Sequence, residues 1–90
     1  MSLVARTVEI TNRRGLHARA SAKFVTVASG IGMIVEVEKD GSKVVGTSIM
    51  GLMMLGAAMG DSIIISASGD GADVAVQTLV DLVEAKFGEE

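Results

Sequence analysis

The 90-residue sequence contains no cysteine and only one histidine. Without cysteine there is no disulfide framework and no thiolate metal site, and one histidine alone cannot build a zinc site. Aromatic residues are equally scarce, with Phe24 and Phe87 as the only members of that class. We therefore expect an aliphatic core, no metal and no other cofactor, in a protein whose lack of cysteine suits a reducing cytoplasm.

The charge balance and the hydropathy exclude two classes of partner. A formal net charge of -3 and an acidic pI oppose binding to a nucleic-acid backbone, which requires clustered lysine and arginine. The longest apolar run spans residues 49–59 and is interrupted by Gly51 and Gly56, so it falls short of the ~18 residues of a membrane span. The first residues also lack the pattern of a secretory signal. We expect a cytoplasmic protein with no nucleic-acid or membrane partner.

The strand patterns lie in separate parts of the chain. Apolar and polar residues alternate over residues 3–11 and again over residues 33–38, as in half-buried strands. Asp40-Gly41 follows the second segment and favours a type I′ hairpin turn, which predicts a return strand over residues 42–45. Residues 62–68 are rich in isoleucine and almost continuously apolar, which indicates a central strand.

Helical spacing of apolar residues predicts three helices. The first spans residues 18–29 and ends at Gly30, the second is short and follows Ser48, and the third spans residues 72–87 with Asp70 as its N-cap. The expected buried stripes are Ala18, Ala22, Val25 and Ala28 in the first helix, Ile49, Leu52, Met53 and Gly56 in the second, and Ala75, Val76, Leu79, Leu82 and Val83 in the third.

The resulting element order is βαββαβα, within a single domain over residues 1–90. Short strands and amphipathic helices in this order fit a two-layer α+β fold. We expect an open-faced sandwich, in which a four-stranded, mainly antiparallel sheet carries all three helices on one face.

His17 is the residue with the clearest chemical potential. Gly15 allows a sharp turn, after which His17 falls at the start of the first predicted helix, where unpaired backbone N–H groups favour an anion. A ring nitrogen there can accept a phosphoryl group, and Arg19 can contact the phosphate. The plainer interpretation is that His17 only caps the helix and Arg19 is an ordinary solvated charge. Composition favours the plainer one, because no second catalytic group is identifiable.

Two motifs change this balance. Residues 15–19 read Gly-Leu-His-Ala-Arg and resemble the active-site motif of the HPr family, the histidine-containing phosphocarriers of the bacterial phosphoenolpyruvate-dependent sugar phosphotransferase system. Residues 47–56 resemble the second signature of that family. The likeness extends over essentially the whole chain, and both motifs at the family's separation form a much more specific signal than either alone.

The resemblance implies a stoichiometric phosphocarrier rather than an enzyme. Enzyme I would phosphorylate His17 on Nδ1, and the group would pass to Enzyme IIA domains for sugar uptake while Arg19 steadies the phosphate. Ser48 matches a regulatory serine that HPr kinase/phosphorylase phosphorylates, although a serine there is more often simply an N-cap. Ala20 stands where the family normally has proline, which predicts a looser entry loop and a changed transfer rate.

The second helix is expected to complete a docking surface for the partners. Ile49, Leu52 and Met53 can share one face of the helix, which leaves Met50 and Met54 more exposed. The expected contact residues are Ile49, Met50, Met53 and Met54. A monomer is favoured because the encounters are brief.

The sequence leaves other functions open. Within the family these are a nitrogen-related regulatory branch and an adaptor that acts through phosphorylated Ser48 while His17 is idle. A small ligand-binding module is the alternative from another class, although no pocket lining is recognisable in the sequence.

Overall fold

A computed structural model describes residues 3–89. Its elements follow the predicted order βαββαβα, with a short 3₁₀ turn added after the last helix. The strands are β1 (Leu3–Glu9), β2 (Val35–Lys39), β3 (Ser42–Val45) and β4 (Ser62–Ser68), and the helices are α1 (Ala18–Ser29), α2 (Ile49–Met54) and α3 (Ala72–Glu84), before the turn Lys86–Gly88.

The four strands form one sheet in the order β1-β4-β2-β3. Every pairing is antiparallel, and β4 lies between β1 and β2 as the central strand, as predicted. Asp40 and Gly41 join β2 to β3 with positive φ angles of 50° and 85°, which a type I′ hairpin turn requires. The predicted hairpin and the predicted antiparallel sheet are therefore both confirmed.

The core lies between one face of the sheet and the three helices. Along β4, Ile63 and Ile65 are fully buried, whereas Ile64 between them is 36% exposed on the other face. Because alternate residues of a strand point to opposite faces, one side of the sheet is covered and the other is open. The open-faced sandwich expected from the sequence is confirmed.

The predicted buried face of α1 is correct only in part. The residues that α1 fully buries are Ala20, Ser21, Phe24 and Ala28. Of the expected stripe, Ala28 is buried, Ala22 and Val25 are half-buried, and Ala18 is exposed. The alanines of this helix fit more than one face, so their spacing does not select one. Phe24 does select it, because its large apolar ring gains most from burial.

The stripe predicted for α2 is also wrong in part. Leu52 is fully buried, but Ile49 and Met53 remain 40% and 42% exposed, and a Cβ atom at Gly56 would point into open space. The helix is short and packs mainly against α1 and β3, so one row of its side chains is covered. Leu55, just after the helix, contributes the other buried side chain.

Both ends of α3 differ from the prediction. Gly71, with a φ of 84°, occupies the N-cap position instead of Asp70, and no side chain caps the helix. The helix ends at Glu84 rather than at residue 87, because Lys86 and Phe87 adopt positive φ angles of 58° and 55°. This reversal buries the ring of Phe87 and turns the following residues back toward α1.

The strand β1 ends two positions earlier than expected, at Glu9 instead of residue 11. Beyond it, Ile10 exchanges backbone hydrogen bonds with Gly60 and Asp61. Among the helices of residues 3–89, none combines the length and the apolar character that are needed to cross a membrane.

Candidate functional site

The turn before α1 is held by a close approach of two backbones. Gly15 has a φ of 61°, and a Cβ atom at this position would lie 2.2 Å from the carbonyl oxygen of Ala57. The N–H of the next residue, Leu16, donates a hydrogen bond to the same oxygen at 2.9 Å. Only glycine fits both the left-handed backbone and the contact. The predicted sharp turn at Gly15 is confirmed.

Asn12 supports this turn from inside the protein. Its side chain is fully buried, and its Nδ2 atom donates to the carbonyl oxygen of Gly15 at 2.9 Å. Asn12 is not among the residues that the sequence predicted for the site. A buried polar side chain that hydrogen-bonds a backbone carbonyl is a structural anchor, and its role depends on its neighbours in the folded chain.

His17 is the N-cap of α1, as predicted. Its backbone is extended, with φ -71° and ψ 179°, and its carbonyl oxygen accepts the first helical hydrogen bond, from Ser21. The imidazole makes no capping hydrogen bond to the helix, so capping does not account for the side chain. The first turn of α1 contains no acidic residue, and the positive end of the helix dipole is therefore not neutralised from within the helix.

Glu89 is the residue of this site that the sequence did not reveal. Its Oε2 atom lies 2.6 Å from Nε2 of His17, and its Oε1 atom accepts a hydrogen bond from Asn12 at 3.1 Å. The side chains of His17 and Glu89 are only 14% and 21% exposed. No local pattern predicts this contact, because 72 positions separate the two residues along the chain.

The surroundings keep Glu89 ionised. Partial burial is the largest single influence and alone raises its pKa, but other influences together outweigh burial. They are the hydrogen bonds from Asn12 and His17 and the electrostatic attraction of His17 and Arg19, and the pKa of Glu89 lies below its ordinary value as a result. The carboxylate therefore acts as an acceptor of hydrogen bonds at neutral pH.

Arg19 lies in the first turn of α1 and is exposed. It borders a shallow surface depression that is also lined by Lys23, Phe87, Gly88 and Glu89. Arg19 thus lies in the same depression as Glu89, which contacts His17, and the depression adds a second cation, Lys23, which the sequence did not single out.

Ser48 is the N-cap of α2, as the plainer interpretation predicted. Its hydroxyl oxygen accepts a hydrogen bond from the N–H of Gly51 at 3.0 Å, while Thr47 beside it is exposed. Met50 and Met54 are 70% and 80% exposed, which confirms that they lie on the outer side of the helix.

The two motifs meet in the folded protein. The segment that follows α2 contributes the Ala57 carbonyl oxygen against which Gly15 and Leu16 are fixed, and α2 packs directly against α1. We call Ile49, Met50, Met53 and Met54 the methionine patch. These apolar side chains lie on α2 and are between 40% and 80% exposed.

Comparison with known proteins identifies the family. A family model described as the PTS HPr component phosphorylation site matches residues 4–85. The chain belongs to the HPr family. The phosphocarrier protein HPr of Neisseria meningitidis is 48% identical over 89 residues, which cover 97% of this chain and 98% of that protein. The phosphocarrier protein NPr of Shewanella violacea is 37% identical, covering 99% and 98%.

Solved HPr structures share the fold. The crystal structure of HPr-C-His from Thermoanaerobacter tengcongensis has a TM-score of 0.88 and 50% identity, covering 100% of this chain and 99% of that chain. A crystal structure of an HPr dimer from the same organism has a TM-score of 0.75 and 50% identity, covering 91% and 94%. The family and fold that the motifs indicated are confirmed. As an HPr protein, the chain is a phosphocarrier of the phosphotransferase system and not a catalytic enzyme.

The contact between Gly15 and Ala57 predicts different effects for two glycine substitutions. Gly56→Ala places a Cβ atom in open space at a φ of 65°, so it should lower the free energy of unfolding by only about 1–2 kcal/mol. Gly15→Ala adds a backbone clash to the same strain and should cost about 3 kcal/mol or more. Urea unfolding of both variants measures the difference, and equal losses would contradict the proposed close approach.

Proposed function

We propose that this HPr protein accepts a phosphoryl group on His17 from Enzyme I and passes it to Enzyme IIA domains during sugar uptake. The observation that carries the proposal is the position of His17 at the N-cap of α1, with an imidazole that is not used for capping. The match of the family's phosphorylation-site model to residues 4–85 supports the same assignment.

The helix start suits the charge that the group brings. A phosphoryl group adds a charge of about -2, and the first-turn N–H groups of a helix lack intrahelical partners and attract anions. No acidic residue of the first turn opposes that attraction. Arg19, exposed in the same turn, steadies the phosphate through a charge-assisted hydrogen bond.

Ala20 distinguishes this chain within the proposed mechanism. Its side chain is fully buried on the inner face of α1, and its N–H lies in the first turn, where proline would have none. Alanine is also the best helix former. The helix therefore forms without the family's proline, and the expected effect of Ala20 is on the rate of transfer rather than on the capacity to carry.

The methionine patch is the proposed docking surface for Enzyme I and the Enzyme IIA domains. Met50 and Met54 are largely exposed, and flexible thioether side chains adapt to more than one partner. A group of exposed apolar side chains is typical of an interaction site. The carrier in this proposal is a cytoplasmic protein. It is a monomer, because a second copy bound to the patch would block successive encounters with the partners.

Ser48 is the proposed regulatory site, with HPr kinase/phosphorylase as the modifying partner. Its hydroxyl group caps α2, the helix that carries the methionine patch. A phosphate at this N-cap can keep a hydrogen bond to the N–H of Gly51 while it adds negative charge beside the exposed methionines. Phosphorylation of Ser48 would thus change how the patch is recognised while leaving His17 in place.

A second candidate is a regulatory role, either in a nitrogen-related branch or as an adaptor that depends on Ser48. The 37% identity to a relative named NPr supports this candidate, because the chain resembles more than one kind of phosphocarrier. Transfer from the phosphorylated chain to sugar-specific or to nitrogen-branch Enzyme IIA domains discriminates between the branches.

The test of the carrier is labelling with Enzyme I and radioactive phosphoenolpyruvate. We expect an acid-labile, base-stable phosphate that is absent from His17→Ala. A charge-assisted hydrogen bond contributes about 1.5–3 kcal/mol, so Arg19→Ala should slow labelling about tenfold, and Arg19→Lys should slow it less. A wild-type chain that takes no label would disprove the carrier, and full-speed labelling of Arg19→Ala would remove Arg19 from the site.

The docking surface is tested by a charge placed on the patch. Met50→Glu should raise the KM for transfer from Enzyme I by about tenfold, because a buried carboxylate opposes association. Its effect on the free energy of unfolding should stay within about 0.5 kcal/mol, as for other exposed positions. Val74→Glu is the matched control, because Val74 is 66% exposed on α3. Equal KM values for both variants would exclude the patch.

The regulatory site is tested with ATP and HPr kinase/phosphorylase. We expect one stable phosphate in the wild type and in His17→Ala, and none in Ser48→Ala. Thr47→Ala is the control, because Thr47 is the adjacent exposed hydroxyl, and this variant should be labelled normally. Label retained in Ser48→Ala would place the modification elsewhere. Ser48→Ala should also lose about 1 kcal/mol of stability with the cap.

A further inference from the structure

Glu89 contacts the reactive ring but lies outside the segment that the family model matches, residues 4–85. Its carboxylate is 2.6 Å from Nε2 of His17, the shortest side-chain contact of this site. Both oxygens are used, because Oε1 accepts the hydrogen bond of Asn12 and Oε2 faces the ring. Because each carboxylate oxygen has its own partner, the orientation of Glu89 relative to the ring is fixed.

Asn12 links Glu89 to the turn that places His17. The same Nδ2 atom donates to the Gly15 carbonyl at 2.9 Å and to Glu89 at 3.1 Å. Because Asn12 is fully buried, it has little freedom to move away from either partner. One buried amide thus links the turn at Gly15 to the carboxylate that contacts the ring.

The chain reversal after α3 delivers Glu89 to this position. Lys86, Phe87 and Gly88 have positive φ angles of 58°, 55° and 78°, and a bulky residue such as phenylalanine adopts such an angle only under constraint. Burial of the Phe87 ring, which is 2% exposed, supplies the constraint. Lys23 adds a hydrogen bond from Nζ to the Phe87 carbonyl oxygen at 3.1 Å.

An ionised carboxylate can only accept a hydrogen bond, so the nitrogen that faces it must carry the hydrogen. The lowered pKa of Glu89 keeps this group ionised at neutral pH, as described above. A neutral imidazole has one hydrogen, and if Nε2 holds it, the lone pair lies on Nδ1. The contact with Glu89 therefore leaves Nδ1 as the nitrogen whose lone pair is free to react.

We propose that Glu89 is a positioning residue, which holds His17 in the form with hydrogen on Nε2 and directs the phosphoryl group to Nδ1. The inference rests on the proposed phosphorylation of His17 and adds the residue that decides which ring nitrogen reacts. Glu89 acts through the ring and does not touch the transferred group.

Glu89 neither gains nor loses a proton in the transfer step. The lone pair of Nδ1 forms the N–P bond while the bond between phosphorus and the donor breaks, and the donor keeps that electron pair. The ring becomes positively charged, and the hydrogen on Nε2 stays in place against the carboxylate. An anion at this distance stabilises the charge that develops on the ring, as a carboxylate does behind other reactive histidines.

The decisive experiment uses phosphoramidate, a small phosphoryl donor that needs no partner protein. The wild-type chain and its variants are phosphorylated, and phosphorus and nitrogen NMR identify the ring nitrogen that carries the group. Wild type should give the Nδ1 isomer alone. Glu89→Ala frees Nε2 and should give a substantial fraction of the Nε2 isomer. Glu84→Ala, an exposed carboxylate at the end of α3, is the matched control and should behave as wild type.

The isomer ratio decides between the outcomes. Glu89→Ala that yields only the Nδ1 isomer would overturn the proposal, whatever its rate. Glu89→Gln provides a second variant, because its amide oxygen can still accept the hydrogen of Nε2, and it should therefore retain the Nδ1 isomer. The ratio is measured without Enzyme I, so it tests Glu89 separately from the proposed function. If phosphoramidate phosphorylates the chain but Enzyme I does not, the proposed function is refuted. The isomer ratio still decides the role of Glu89 in that case.

Kinetics with Enzyme I separate positioning from docking. Loss of the carboxylate charge in Glu89→Gln should lower kcat about tenfold and leave KM unchanged, because the affected interaction is with the ring. A raised KM with an unchanged kcat would show that Glu89 contacts the partner instead, which would overturn the positioning role.

Discussion

The contact between Gly15 and the backbone of Ala57 determines where α1 begins. Any side chain at residue 15 would overlap the Ala57 carbonyl, and the hydrogen bond from Leu16 to that oxygen fixes the next step of the chain. His17 follows at once as the N-cap. The location of the ring, its access to the helix start and its distance from α2 all depend on this one approach.

The same contact joins two surfaces with different chemistry. On the side of α1 the structure presents a histidine, a helix start and the exposed Arg19. On the side of α2 it presents an apolar methionine patch that the short helix cannot bury. The proposed function uses both, because the reactive group would reach a partner's active site while apolar contacts hold the two proteins together.

Positive charge is concentrated in the part of the sequence around His17. The chain as a whole is acidic, with a formal net charge of -3, yet Arg13, Arg14 and Arg19 surround His17 in the chain and Lys23 lies one turn further along α1. Glu89 is the exception, an anion held against the ring by Asn12 and by the reversal at Phe87. Its position on Nε2 leaves the positive helix start for the phosphate.

The sequence by itself determined the element order, the hairpin at Asp40-Gly41, the central place of β4 and the placement of His17 at the start of α1. These features depend on residues that are neighbours along the chain. The spacing of apolar residues indicates helix or strand, and glycine marks the positions of turns. Only the tertiary structure decided that α1 buries Phe24 completely and Val25 only in part, that α2 leaves Ile49 and Met53 half exposed, and that α3 stops before Phe87. Above all it decided that Glu89 meets His17, since 72 positions separate them and a contact between distant residues exists only after the strands and helices have packed.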